Sequence, residues 1–210
     1  MSDMNFSDIR NQIEEWIHPD YIDPEDIPAI ELYMEQITTF MDKQLDGNKR
    51  NTEDKILTKT MINNYSKNDL LPPSDKKKYS KDHIILLIYI YYLKNFLSIN
   101  DIHHLLAPMT DNYFQAESGK TMSSIYADLF SLEQDYGDRV RESIQEIYDI
   151  ARQQFDDSDD YLKTFAMIVM LSHDIYTKKQ LVEKLIDSLP KESSKKSEKK
   201  DAKRKSKESK

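Results

Sequence analysis

Glycine is scarce in this chain: only Gly47, Gly119 and Gly137 occur among its 210 residues. Hairpins with tight turns use glycine for positive φ, so the shortage favours a mainly helical protein. Cysteine is absent, which excludes disulfides, thiolate zinc sites and cysteine nucleophiles. The longest nearly apolar run, Ile84–Leu93, has ten residues, against the roughly 20 that a membrane-spanning helix needs. Since the acidic N-terminus also lacks a signal-peptide pattern, we expect a soluble cytoplasmic protein that does not associate with membranes.

The net charge of −8 conceals a basic segment between acidic flanks. Residues 55–107 carry eight lysines against four carboxylates, whereas residues 1–54 carry 14 carboxylates against four basic side chains. Local potential, rather than the total charge of a chain, governs the attraction of polyanions. The charge pattern therefore points to residues 55–107 as the part of the chain that would meet nucleic acid.

Apolar spacing predicts helices throughout the N-terminal half. Apolar residues at helical spacing between positions 4 and 17 indicate a first helix, and a proline-punctuated connector follows it. A second helix is predicted from about Pro28 to Leu45, and a third, capped by Thr58, over about 59–68. The polar loop Gly47–Lys55 separates these two helices.

The sequence after residue 80 also has helical periodicity. Ser80 caps a segment that is apolar nearly all round, which predicts a central helix packed on two sides. Ser98 begins a short helix that is expected to end near Pro108. Apolar residues at spacings of three and four run from Met122 to Ala151, either as one helix or as two that meet near Gly137.

The end of the chain changes character at residue 190. Residues 161–189 resume the helical pattern, whereas residues 190–210 carry ten basic and four acidic side chains with almost no apolar residue. A segment of that composition is expected to be disordered.

The predicted helix over 59–68 has two distinct faces. At 100° per residue, Met61, Ile62 and Tyr65 lie on one side and form the buried face. A neighbouring arc carries polar and cationic side chains, namely Thr60, Asn63, Asn64 and Lys67. Asparagine pairs with adenine and lysine reaches guanine or phosphate, so this face suits a major groove; an ordinary solvated helix and turn is the alternative.

The loop after this helix adds three consecutive cations and an aromatic ring. After "LLPP", the segment "SDKKKY" contains Lys76, Lys77, Lys78 and Tyr79. Such a loop would follow the phosphate backbone, where cations supply affinity without sequence information.

The segment "MINNYSKNDLLPP" resembles the helix-turn-helix core of MerR-type regulators. The positions that keep the pattern are Ile62, Tyr65, Lys67, Leu70, Leu71, Pro72 and Pro73, and Tyr79 resembles the tyrosine of the wing. The family arginine and first tyrosine are Asn63 and Asn64 here, and the glycine before "LLPP" is Asp69. The resemblance therefore implies which positions contact DNA, but the side chains at several of these positions differ from those of the family.

A closer resemblance is to family 1836 of bacterial domains of unknown function. The segments "LYMEQITTF", "LTKTMINNYSK" and "KKKYSKDHIILLIYIYYLK" carry it. Together the two resemblances imply a mainly all-α protein with a MerR-like winged helix-turn-helix core, a short wing, and a C-terminal helical hairpin or bundle. The expected organisation is residues 1–24 as N-terminal helix and connector, 25–110 as DNA-binding domain, 111–189 as dimerisation or sensor region, and 190–210 as basic tail.

The function expected from these features is sequence-specific transcriptional regulation by a homodimer on double-stranded DNA, with an unknown effector at the C-terminal helices. The candidate DNA-binding residues are Lys59, Thr60, Asn63, Asn64, Lys67, Lys76, Lys77, Lys78 and Tyr79. The alternative is a helical protein-interaction module that keeps the helix-turn-helix shape without binding DNA; its support is the acidic flanks and the missing arginine.

No constellation for catalysis, cofactor binding or metal binding stands out. His103 and His104 are neighbours with Asp101, but adjacent helical residues point about 100° apart, so one metal would rarely use both. The segment "DDSDD" at 156–160 lacks the glycine and the glutamate of a calcium loop. We therefore expect no enzyme activity, no cofactor and no metal.

Overall fold

Helices make up most of the described chain, so the prediction of a mainly all-α protein is confirmed. The computed structural model describes residues 5–16, 22–156 and 158–190. Apart from Pro190, the tail that was predicted to be disordered lies outside these residues. None of the helices in this part of the chain is both long and apolar enough to cross a membrane. The elements in chain order are α1 (Phe6–Trp16), β1 (Leu32–Tyr33), α2 (Met34–Gln44), a 3₁₀ turn (Asp46–Asn48), α3 (Lys59–Lys67), β2 (Lys78–Tyr79), α4 (Lys81–Leu93), α5 (Ile99–Tyr113), α6 (Met122–Gln154) and α7 (Asp160–Ser188).

Two short strands bring distant parts of the chain together. β1 and β2 pair antiparallel, with Leu32 opposite Tyr79 and Tyr33 opposite Lys78. β1 leads directly into α2, where the backbone N–H of Tyr33 donates to Oε1 of Gln36 at 2.9 Å. The strand pair therefore holds the segment before α4 against the start of α2.

α4 forms the centre of the main hydrophobic core, as its sequence predicts. Burying an aliphatic side chain contributes roughly 1.5–3 kcal/mol, so this helix supplies a large part of the driving force for folding. Residues from α2, α3, α5 and the start of α6 pack around it. Its buried side chains are His83, Ile84, Ile85, Leu86, Leu87, Ile88, Ile90 and Tyr91.

A second, smaller core joins α1 to the hairpin of α6 and α7. The ring of Phe6 stacks on Tyr148 with 4.7 Å between centroids, and the backbone N–H of Phe6 donates to Oδ2 of Asp160 at 3.2 Å. Ile9 of α1 and Met167 of α7 are buried in the same cluster. The N-terminal helix thus closes the hairpin near its turn.

The predicted start of the second helix is wrong. α2 begins at Met34 rather than at Pro28, and Ile30, which lies within the predicted first turn, is 71% exposed. Leu32, which pairs with Tyr79 in the strand pair, is buried in the main core. This long-range pairing takes the residues that helical periodicity assigned to the first turns of a helix.

The predicted end of the fifth helix near Pro108 is also wrong, because α5 continues to Tyr113. Proline in a helix interior costs about 3 kcal/mol through the lost hydrogen bond and a backbone clash. Beyond Pro108, Met109 and Tyr113 pack against the main core. This packing offsets the cost and keeps the segment helical.

α6 is one continuous helix through Gly137 and not two. The middle of its apolar stripe is nevertheless uncovered, since Leu129, Leu132 and Tyr136 are exposed. Periodicity therefore identified an apolar side of α6 but did not show what would cover it.

Candidate nucleic-acid interface

α3 presents its polar face to solvent because its apolar face is anchored in the core. Oγ1 of Thr58 accepts a hydrogen bond from the backbone N–H of Met61 at 3.2 Å, which caps the helix as predicted. Ile62 and Tyr65 are buried. The exposed residues of α3 include the five predicted DNA contacts Lys59, Thr60, Asn63, Asn64 and Lys67.

The chain reverses at Asp69, immediately after α3. Asp69 has φ = 56°, in the left-handed region, and Leu70 N–H donates to the carbonyl of Tyr65 at 2.9 Å. Leu70 and Leu71 are consequently turned into the core, where both are buried. A left-handed conformation favours glycine, so Asp69 carries both backbone strain and an exposed negative charge at this turn.

A tight turn from Asp75 to Lys78, the lysine turn, holds two lysines at its tip. Lys78 N–H donates to the carbonyl of Asp75 at 2.8 Å, and Lys76 and Lys77 between them have φ values of 47° and 65°. Positive φ at both central residues defines a type I′ turn, in which Asn-Gly is the favoured pair. Lys76 and Lys77 are both exposed, so the turn presents two cations despite an unfavourable backbone conformation.

The other two predicted contacts of this loop lie closer to the protein. Nζ of Lys78 lies 5.7 Å from the centroid of the Tyr33 ring, in a cation–π contact across the strand pair. Tyr79 is only 5% exposed, and its ring meets the His83 ring edge to face at 5.4 Å. Tyr79 was predicted as a DNA contact; in the structure β2 turns its side chain into the core, where it supports the turn from within.

An ion pair links α3 to the start of α2. Nζ of Lys59 lies 2.7 Å from Oε1 of Glu35. The hydrogen bond from Lys59 is the main cause that lowers the pKa of Glu35, and a backbone hydrogen bond is the second. Glu35 follows Tyr33 by two residues, and Tyr33 is the residue beneath Lys78. The α3 face and the lysine turn are therefore joined through one short segment of β1 and α2.

His83 fixes the base of the lysine turn. Its Nδ1 accepts a hydrogen bond from Ser80 N–H at 3.0 Å and lies 2.9 Å from Ser80 Oγ. Its ring also meets Phe114, just after α5, edge to face at 4.8 Å. The contacts join the end of β2, α4 and the end of α5.

Burial lowers the pKa of His83 and keeps the imidazole neutral. The carbonyl groups of Pro73 and Pro72 and the charges of Asp82 and Glu31 act in the opposite direction. Sequence reasoning missed this residue because it considered histidines only as metal ligands. The available signal was a histidine three residues after the capping Ser80, a position from which a side chain can bond back to the N-cap backbone.

The other histidine candidates form no metal site in the described part of the chain. No group of three or more His, Cys, Asp or Glu side chains there is arranged to hold a metal ion. His103 and His104 lie on α5, next to Asp101, whose Oδ2 accepts a hydrogen bond from Ser98 Oγ at 2.7 Å at the start of that helix. Asp101 thus serves the helix cap.

The comparison with known protein families gives one result. The family model described as "Domain of unknown function (DUF1836)" matches residues 22–129, which include α2 to α5, the lysine turn and the start of α6. No curated protein and no solved structure matches the chain.

Proposed function

We propose that this chain, which belongs to the family described as "Domain of unknown function (DUF1836)", is a homodimeric transcriptional regulator that binds double-stranded DNA sequence-specifically. In this proposal α3 enters the major groove, the turn containing Lys76 and Lys77 follows the phosphate backbone, and an effector acts at α6 and α7. In this proposal α2, α3 and the lysine turn act as a MerR-like winged helix-turn-helix.

The lysine turn gives the strongest support for DNA binding. A left-handed conformation costs an L-residue other than glycine roughly 1–2 kcal/mol, and both Lys76 and Lys77 adopt it. Strained residues persist where a function requires them. Here both strained residues are exposed cations, and phosphate contacts require exposed cations.

The dimensions of α3 are compatible with a groove. An α-helix with its side chains is about 10–12 Å across, and the major groove is about 12 Å wide, so α3 can lie in it along its nine residues. Asn63 and Asn64 offer the amide groups that pair with adenine, and Lys67 reaches guanine or phosphate. A dimer would read two half-sites separated by one helical turn or a multiple of it.

Selection of bound duplexes tests the proposal. Purified protein is mixed with genomic fragments at about 150 mM salt, and bound fragments are sequenced. Enrichment of a motif with two half-sites supports sequence-specific binding, and its survival in a chain that ends at Pro190 excludes the basic tail as the source. Lack of enrichment by a folded dimer in both forms contradicts the proposal.

Two variants separate base reading from phosphate binding. Asn63→Ala should weaken binding to the selected motif by about 1–3 kcal/mol and leave unrelated duplexes unaffected. Lys76→Ala should weaken binding to all duplexes alike and reduce the salt slope by about 1 per subunit. Equal losses on all duplexes for Asn63→Ala would remove its base-reading role.

A protein-interaction module is the second candidate, and the Lys59–Glu35 pair favours it. That ion pair occupies one of the cations offered to DNA, and Asp69 adds an exposed carboxylate directly after α3. Like charge near phosphate opposes binding. A stable dimer without affinity for any duplex at low salt would support this candidate.

A further inference from the structure

α7 carries a row of exposed apolar side chains along its first half. At 100° per residue these six positions fall within an arc of about 120°. Their exposed fractions range from 49% at Val169 to 75% at Tyr161. This row, the α7 stripe, consists of Tyr161, Phe165, Ile168, Val169, Ile175 and Tyr176.

The described chain covers the opposite side of α7 beside the first half of the stripe and leaves the stripe itself open. Met167 is buried in the small core with α1 and α6, and Ala166 and Leu171 pack against that core. Ile186, near the end of α7, belongs to the main core. The stripe therefore faces away from the small core, and it ends ten residues before Ile186.

The area of the stripe reaches the lower limit for a specific protein interface. An aromatic side chain buries 150–250 Å², so six large side chains that are about half exposed offer on the order of 600 Å² per copy. Two copies would bury about 1,200 Å², the lower end of standard protein interfaces. A single monomer rarely leaves a larger continuous apolar patch uncovered.

We propose that the α7 stripe packs against the same stripe of a second copy of this chain, antiparallel, with the two-fold axis between Ile168 and Val169. This position is the midpoint of the stripe, and it sets Tyr161 opposite Tyr176 of the other copy. The inference rests on the homodimer part of the proposed function and not on DNA binding.

Charge favours the antiparallel orientation. Asp156 and Asp159 lie beside the Tyr161 end of the stripe, and Lys178 and Lys179 lie just beyond the Tyr176 end. Antiparallel packing places Asp156 and Asp159 of one copy near Lys178 and Lys179 of the other, whereas parallel packing sets each group beside its own counterpart.

Within one copy, both lysines also form ion pairs along their own helix. Lys178 pairs with Asp174 at 2.6 Å and Lys179 with Glu183 at 3.2 Å. Both lysine side chains remain at least 40% exposed, so they can also face an acidic partner. Because Asp174 and Glu183 offset the two lysines, charge adds only weakly to the orientation, and apolar burial contributes most of the affinity.

Sedimentation equilibrium of the full chain from about 1 to 100 µM tests the interface. Ile168→Glu should raise the dimer dissociation constant about 30-fold or more, because a charge is then buried at the axis from both copies. The matched control is Leu185→Glu, since Leu185 is similarly exposed but lies on the opposite side of α7. It should leave the constant unchanged. A monomeric parent chain, or equal dissociation constants for the parent and Ile168→Glu, would overturn the inference.

Disulfide trapping then tests orientation, and the absence of cysteine removes any background. In the antiparallel dimer the two copies of residue 169 are offset by only about 1.5 Å along the helix axis, so the thiols of Val169→Cys lie side by side. The two copies of residue 176 are offset by about 22 Å, so the thiols of Tyr176→Cys are far apart. Under mild oxidation only Val169→Cys should form a covalent dimer. Equal cross-linking of both variants would indicate parallel packing, and cross-linking of neither would place the interface elsewhere; both results contradict the proposal. Neither measurement contains DNA, so a failure of DNA binding would be recognised separately.

Discussion

Lys59 and Glu35 form an ion pair of 2.7 Å between α3 and α2, although they are 24 residues apart in sequence. Both side chains are more than half exposed, and exposed pairs of this kind contribute little to stability. Glu35 therefore limits the availability of Lys59 to phosphate more than it holds the two helices together.

Glu35→Gln should increase DNA affinity while leaving stability nearly unchanged. With its partner neutralised, Lys59 becomes free to contact phosphate, so the slope of log affinity against log salt should steepen by about 1 per subunit. Fluorescence anisotropy across a salt series measures the slope. Glu53→Gln, which removes the same charge from the exposed loop before α3, should leave the slope unchanged; equal slopes for parent and Glu35→Gln would show that Lys59 is not a phosphate contact.

Replacing the tip of the lysine turn with Asn-Gly should stabilise the protein and weaken DNA binding together. Lys76→Asn with Lys77→Gly relieves two left-handed lysines, which we expect to raise the free energy of unfolding by roughly 1–2 kcal/mol. It also removes two cations from each subunit. Urea unfolding and duplex titration measure the two effects.

The control for that variant keeps the strain and removes only the charge. Lys76→Ala with Lys77→Ala should lose DNA affinity to the same degree without the gain in stability, because alanine also disfavours positive φ. Unchanged duplex affinity in both double variants would separate this turn from any role in DNA binding.

Asp69→Gly should stabilise the turn after α3 by about 1 kcal/mol. Asp69 has φ = 56°, and glycine adopts this conformation without the steric cost of a Cβ atom. The variant should also bind duplexes more tightly because it loses a carboxylate near the α3 face. Asp69→Ala removes the same charge but retains the strain, so a stability gain of equal size in both variants would contradict the backbone explanation.

Protonation of His83 should destabilise the fold below neutral pH. The pKa of His83 is lowered by burial in the folded state, so below about pH 6.5, where the unfolded histidine binds a proton, unfolding takes up protons. Stability is then complete above that pH and falls as the pH decreases toward the lowered folded pKa. Urea unfolding at several pH values measures the trend.

His83→Gln should flatten this pH dependence between neutral and mildly acidic conditions. The matched control is His173→Gln, at an exposed position on α7, which should retain the slope of the parent chain. A parent-like slope in His83→Gln would assign the acid sensitivity to other groups.

Local sequence signals identified most helices correctly. Thr58, Ser80 and Ser98 are the N-caps of α3, α4 and α5, because a cap satisfies backbone groups within a few residues of itself. The apolar composition of α4 likewise predicted its central position. The polar face of α3 followed from periodicity alone, since its buried side was evident from the spacing of Ile62 and Tyr65.

Long-range contacts decided what periodicity left open. The pairing of Leu32 with Tyr79 shortened α2 at its start and accompanies the burial of Tyr79, a predicted DNA contact. The Glu35–Lys59 pair and the role of His83 also depend on residues that only the fold brings together. Packing of Met109 and Tyr113 carried α5 through Pro108, although local propensity predicted its end there.

The sequence by itself determined the helical class, the caps, the basic segment and the exposed polar face of α3, because these depend on composition and on neighbours within one or two turns. The tertiary structure alone decided which apolar faces are covered. Periodicity places apolar residues on one side of a helix, but burial depends on what packs there, and no part of the described chain buries the stripe from Tyr161 to Tyr176.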